Sequence, residues 1–290
     1  MSTLNRKKIT ITDIYCYPVK SCAGFPLAEA KITNTGIQYD REWVVVDDHG
    51  KFVAQRGNKS NGIGIKSMCQ IKTQIDDTHL ILTAQNMETL KIPLDNTSNH
   101  GKNYVVKIWN SEGTGTDQGV AAAKWLSKFL SRELPGNYKL LRMHERSNRT
   151  ADLGIAQIAF PDGFPLTIAA KSSLLDLNKK MIRKIPMNRF RPNIVIGGCK
   201  AYEEDTFLRM QIKNMEFTNK KLCPRCVMIT IDQSTMFQDN EPLTTLASYR
   251  KTTEGVLFGI NVNHSNLNKG IIKIGDELII IEKTQKFKIT

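Results

Sequence analysis

From Ile9 to about Trp109 the chain is written in short runs rich in β-branched and aromatic residues, each closed within a few positions by Gly, Asn or Asp. That punctuation constrains the fold more than any other feature, because strands alternate and stop where turn residues stand. Strands are expected at 14–18, 28–32, 43–47, 80–83 and 105–109. The period changes at 117–131, where Val120, Ala123, Trp125, Leu126, Phe129 and Leu130 share one helical face. Residues 136–155 show little period and read as a connection or an active-site loop. Beyond them, helices are expected at 172–180 and 244–250. Strands are expected at 210–212, 227–231, 256–260 and 277–281. Trp109 and Trp125 read as core. The expected fold class is mainly β (α+β), with two β-barrel-like domains at 8–135 and 156–285, a connecting region at 136–155 and a few peripheral helices.

A chain of 290 residues is long enough for two ordinary domains with their own cores. No run approaches the ~18 consecutive apolar residues of a membrane span. Arg6, Lys7 and Lys8 lead straight into Ile9 and Thr10 with no apolar signal core between them. A cytoplasmic protein without a membrane partner is therefore expected, and six cysteines over this length fit reduced thiols better than a disulfide framework. The formal net charge of +13 attracts anions of several classes. The basic doublets Lys7-Lys8, Lys179-Lys180 and Lys220-Lys221 lack interleaved aromatics, so no nucleic-acid partner is expected.

Leu222-Cys223-Pro224-Arg225-Cys226 carries the chemistry. Thiolate is the form of cysteine that binds metal, and a guanidinium between two thiols favours it. Pro224 presets one torsion of the loop between them. The apolar run that follows reads as a strand, which argues against the helix of a thioredoxin-type dithiol. No second pair of Cys or His stands at ligand spacing, which argues against structural zinc.

Several phrases resemble one family in order along the chain. They are Tyr17-Pro18-Val19-Lys20-Ser21-Cys22, Asp40-Arg41 with Trp43, Arg189-Phe190-Arg191-Pro192-Asn193, Tyr202 with Glu204-Asp205, Cys223 with Cys226, and Pro242-Leu243 with Tyr249-Arg250. Together they resemble a MOSC-domain protein with its N-terminal β-barrel domain, of the amidoxime-reducing component type. The resemblance implies a pterin-based molybdenum cofactor between the two domains, with Cys226 as the catalytic metal ligand. It implies cofactor contacts from Lys20, Ser21, Arg41, Asp162, Arg191, Asn193 and Arg225, with Lys20 and Ser21 on the phosphate. It implies an oxidoreductase that reduces N-hydroxylated compounds such as amidoximes and hydroxylamines. The electrons would come from a separate acidic donor protein of flavodoxin, ferredoxin or cytochrome type, since no cysteine follows Cys226 to hold an iron–sulfur cluster. The alternative is a non-catalytic cofactor carrier or sulfur-handling protein. Glu204, Asp205 and Arg250 read as structural.

Overall fold

A computed structural model describes residues 8–57, 62–95, 101–152, 156–265 and 270–285. The architecture is mainly β, with three α-helices among the described residues. A nine-stranded sheet runs Phe25–Leu27, Thr10–Cys16, Ile194–Gly197, Leu166–Ala170, Gly255–His264, Met215–Arg225, Phe207–Ile212 and Leu278–Lys283, with Lys251–Thr252 paired to Gly255–His264. A six-stranded sheet runs Asn103–Ile108, Ser111–Asp117, Tyr138–Met143, Trp43–Asp47, Phe52–Ala54 and Gly62–Gly64. Two three-stranded sheets complete it. The paired strands form open sheets rather than closed barrels among the described residues.

Trp43–Asp47 is a strand for a simple reason: both of its faces are covered. Trp43 and Val45 pack with Trp125, Leu126 and Phe129 of helix α1 (Val120–Leu130), while Val44 and Val46 pack with Phe52, Val106 and Phe160. A strand buried on both sides reads as a continuous apolar run. Full burial of side chains such as Val44 stabilises the fold by about 1.5–3 kcal/mol each. Helix α2 (Lys171–Lys179) links the parallel strands Leu166–Ala170 and Ile194–Gly197, and α3 (Leu243–Arg250) buries Leu246 beside Phe258.

Sheet membership does not follow chain order. Thr10–Cys16 pairs with Ile194–Gly197, and Glu29–Thr33 pairs with Gly270–Lys273, so the first strands complete sheets built from the last. Two local expectations are corrected. Residues 138–143 form a strand between Ser111–Asp117 and Trp43–Asp47, where little period was read; Leu140 and Leu141 are each buried on a different face, and Arg142 interrupts the apolar pattern. Residues 227–230 form a 3-10 turn instead of a strand, closed by Ile229 N–H to Cys226 O (3.2 Å) and Ile231 N–H to Met228 O (3.2 Å). Its β-branched residues mimic a strand, yet only Ile229 and Thr230 of the four are buried. The strand lies upstream, at Met215–Arg225, and delivers the cysteines at its end.

Candidate functional site

Met215–Arg225 pairs with Gly255–His264 through two register shifts, between Asn219 and Lys221 and between Leu222 and Pro224. Such bulges re-aim side chains and tolerate a proline that has no N–H to donate. They turn Cys223 and Cys226 toward one cleft of about 520 Å³, lined also by Lys20, Ser21, Arg41, Arg56, Trp109, Asp162, Arg189, Arg191, Asn193, Lys221, Arg225 and Asn261. Every residue nominated from the sequence lies on this cleft.

The nominees divide by what their polar atoms already hold. Lys20, 5% exposed, donates to Phe160 O (3.0 Å) and to Asp162 Oδ1 (2.5 Å). Its burial pushes the ammonium pKa down, and Asp162 opposes that. The Asp162 side chain lines the cleft and is 57% exposed to solvent. Crowding around it favours the neutral acid, but the Lys20 ammonium and the Trp109 N–H outweigh that and hold the carboxyl well below the usual range. Asp162 is therefore an ionised acceptor facing the cleft. Its loop is pinned by Arg149, which donates to Asp162 O (3.1 Å) and Ala159 O (2.7 Å) and whose pKa burial lowers to about 10.

Arg41 and Arg191 sandwich the Tyr17 ring, each guanidinium 4.3 Å from its centroid. Arg41 also pairs with Asp40 (2.5 Å) and donates to Arg191 O (3.0 Å), while Arg191 donates to Cys22 O (2.7 Å). The Asn193 amide is spent on backbone, accepting from Thr167 N–H (3.2 Å) and donating to Tyr15 O (3.3 Å). It holds the cleft floor together.

Arg225 lines the cleft with its guanidinium turned into the fold. Its guanidinium is committed to carbonyls, Phe258 O twice (2.9 and 2.7 Å) and Phe190 O (2.8 Å). Gly259, at φ 74°, lets the neighbouring strand come close, since a Cβ there would lie 2.7 Å from Ile168 O. The Cys223 thiol is accordingly not activated: burial raises its pKa, and Arg225 and the Asn261 amide only moderate the rise. Cys226, half-buried like Cys223, stands just past the strand end. Cys223 and Cys226 follow extended backbone, in which residues three apart are about 10 Å apart, beyond the ~7 Å reach of a disulfide.

Trp109, read as core, is a cleft residue whose Nε1 donates to Asp162 Oδ1 (2.7 Å). Arg56, Lys221, Arg149 and Asn261 were also missed. Only backbone strain marks a common thread: Ser21, Arg41, Trp109 and Arg191 all hold positive φ, at 68°, 48°, 52° and 50°. Non-glycine residues in this region cost about 1–3 kcal/mol and concentrate at binding sites.

The donor set fits an anionic chelate of a soft metal. Among the described residues no three His, Cys, Asp or Glu side chains gather as a metal site. A metal at Cys226 must bring most of its own ligands, and the surrounding cations suit a group carrying negative charge.

Two family profiles match the chain, the MOSC N-terminal beta barrel domain over residues 8–133 and the MOSC domain over residues 156–279. The chain belongs to the MOSC-domain family. This MOSC chain is 34% identical to mitochondrial amidoxime reducing component 2 of Homo sapiens, over 92% of its own length and 82% of the relative. It is 31% identical to mitochondrial amidoxime-reducing component 1 of Homo sapiens, over 94% and 83%. It is 27% identical to a molybdenum cofactor sulfurase of Bos taurus, over 89% of itself and 30% of that longer protein. No helix among the described residues is long and apolar enough to cross a membrane.

Proposed function

We propose that this MOSC protein binds a molybdenum–pterin cofactor in the cleft and reduces N-hydroxylated compounds by two electrons and two protons, R–NH–OH giving R–NH2 and water. The observation that carries the reading is the half-open Cys226 thiol at the end of Met215–Arg225, facing Lys20, Arg41, Arg56, Arg191 and Lys221 across one cleft. The relatives' names, amidoxime reducing components and a molybdenum cofactor sulfurase, support the substrate class and the cofactor.

In this reading Cys226 is the protein's sulfur ligand to the metal. Lys20 and Ser21 receive the phosphate, a point charge beside a hydroxyl. Arg41 and Arg191, fixed by the Tyr17 ring, add positive field without needing to move, which is what preorganised electrostatics requires. Ionised Asp162 accepts from N–H groups of the heterocycle. Arg225 and Asn193 keep the floor rigid by tying its carbonyls and strands. When bound, the cofactor supplies a two-electron redox couple. Electrons arrive from a separate acidic donor protein, whose docking on a chain of net charge +13 weakens with salt. The free state of all six cysteines suits a reducing, cytoplasmic setting.

The test is molybdenum by elemental mass spectrometry, pterin fluorescence after acid release, and reduction of benzamidoxime with reduced viologen, in wild type and Cys226→Ala. We expect the variant to fold, to keep pterin and to lose both metal and turnover. Turnover by Cys226→Ala at the wild-type rate would remove the ligand assignment. A fully loaded wild type that leaves benzamidoxime untouched would favour the carrier or sulfur-handling reading instead, with Cys223 as the sulfur carrier.

A further inference from the structure

Trp109 and Asn110 make the two-residue turn between Asn103–Ile108 and Ser111–Asp117, whose ends Ile108 and Ser111 are paired. Trp109 takes the left-handed conformation, φ 52°, that such hairpins ordinarily give to Gly, Asn or Asp. A bulky residue held there is over-determined by its surroundings. Those surroundings grip the indole in three ways. Its N–H donates to Asp162 Oδ1 at 2.7 Å, its ring meets Phe52 edge-on at 5.0 Å, and the Arg56 guanidinium lies over it at 4.6 Å. Glycine would make this turn with less strain and would reach none of them.

Asp162 Oδ1 thus takes hydrogen bonds from Trp109 and from Lys20 together. Two donors on one oxygen fix the carboxyl rotamer and leave Oδ2 as the oxygen not engaged by a described residue, on a cleft-lining side chain that is 57% exposed to solvent. We infer that Trp109 is a positioning residue of the cofactor site, which with Lys20 clamps Asp162 so that Oδ2 is presented to an N–H edge of the bound heterocycle. The inference rests on the reading that a pterin occupies the cleft. Trp109 acts through Asp162, and its ring stacked with Arg56 completes the wall on that side.

Trp109→Phe keeps a ring for Arg56 and Phe52 and removes the N–H. The readout is pterin per chain, by fluorescence after acid release, during timed gel filtration of protein from a host that makes the cofactor. Pterin release should be about ten- to a hundredfold faster than in wild type, the range for a hydrogen bond to a charged group. Asp162→Asn should lose pterin at least as fast. The double variant Trp109→Phe/Asp162→Asn should be no faster than Asp162→Asn alone, because residues acting as one unit are not additive. Release from Trp109→Phe at the wild-type rate, or losses that simply add, would overturn the inference. Wild type with no pterin at all would instead overturn the cofactor reading beneath it.

Discussion

Two carboxylate clusters in this protein use the same residue types to opposite ends. At the cleft, Asp162 meets Lys20 and Trp109, keeps 57% of its side chain open, and is held ionised. Between the nine-stranded sheet and helices α2 and α3, Asp205 meets Arg250 at 2.6 Å with both side chains 6% exposed. Its neighbour Glu204 is fully buried, accepting from Ser173 Oγ (2.6 Å) and Ala170 N–H (3.2 Å). Burial pushes Glu204 up to about 7, with Asp205 adding to the rise, and pushes Asp205 up to about 6 against the pull of Arg250. The difference lies in exposure: Glu204 Oε2 and Asp205 Oδ1 also have no hydrogen-bond partner, but both are buried where no ligand reaches. The inner cluster uses its charge to knit the sheet to the helices. Asp162 has an oxygen and an open face left for a ligand.

The largest effect expected is on the inner cluster. Arg250→Leu strands Asp205 as a buried carboxylate without its cation, and urea unfolding should show a loss of about 3–5 kcal/mol. Lys20→Met removes the corresponding cation at the cleft, where water reaches Asp162; the stability loss should be smaller, on the order of 1–2 kcal/mol, while pterin retention falls steeply. Equal stability losses in the two variants would erase the distinction between a structural and a ligand-facing cluster.

The smallest effect is also the most specific. A carboxyl whose pKa is higher folded than unfolded binds more protons in the folded state, so its contribution is full below the unfolded pKa and is lost as pH rises through the folded one. For Glu204 that window runs from its ordinary value near 4.5 to about 7. Glu204→Gln mimics the neutral acid and keeps the acceptor for Ser173. It should raise the unfolding midpoint at pH 8, by about 1 kcal/mol of stability, and change little at pH 5. Stabilisation of the same size at both pH values would mean that Glu204 does not titrate in this window.

Much of the local structure was legible because it depends on near neighbours. The run Trp43–Asp47 is a strand as its composition required, α1 covers 120–130 within the expected 117–131, and α3 covers 243–250 against an expected 244–250. Val227–Thr230 misled because β-branched residues serve a short 3-10 turn as readily as a strand when hydrogen-bond partners are local. Met215–Arg225 was not read as a strand, since its bulges break the alternation on which pattern reading depends. Arg225 lines the cleft, but the direction of its guanidinium was decided by the carbonyls of Phe258 and Phe190, residues 33 and 35 positions away.

By itself the sequence determined a mainly β chain, its helices, and a pair of thiols, which it set before a strand and not at the end of one. It also carried, in its ordered phrases, Lys20, Arg41, Arg189 and Arg191 among the cations that line the cleft. Only the tertiary structure decided which of those groups remain free to bind and which are consumed by the fold. It alone joined Thr10–Cys16 to Ile194–Gly197, and set Trp109, Arg56 and Lys221 beside Asp162 and Cys226. The physical reason is distance along the chain: periodicity reports the face a residue turns toward, whereas the partner on that face comes from a strand or turn far along the chain, as Tyr15 and Asn193 illustrate with a separation of 178 and His264 and Thr33 with one of 231.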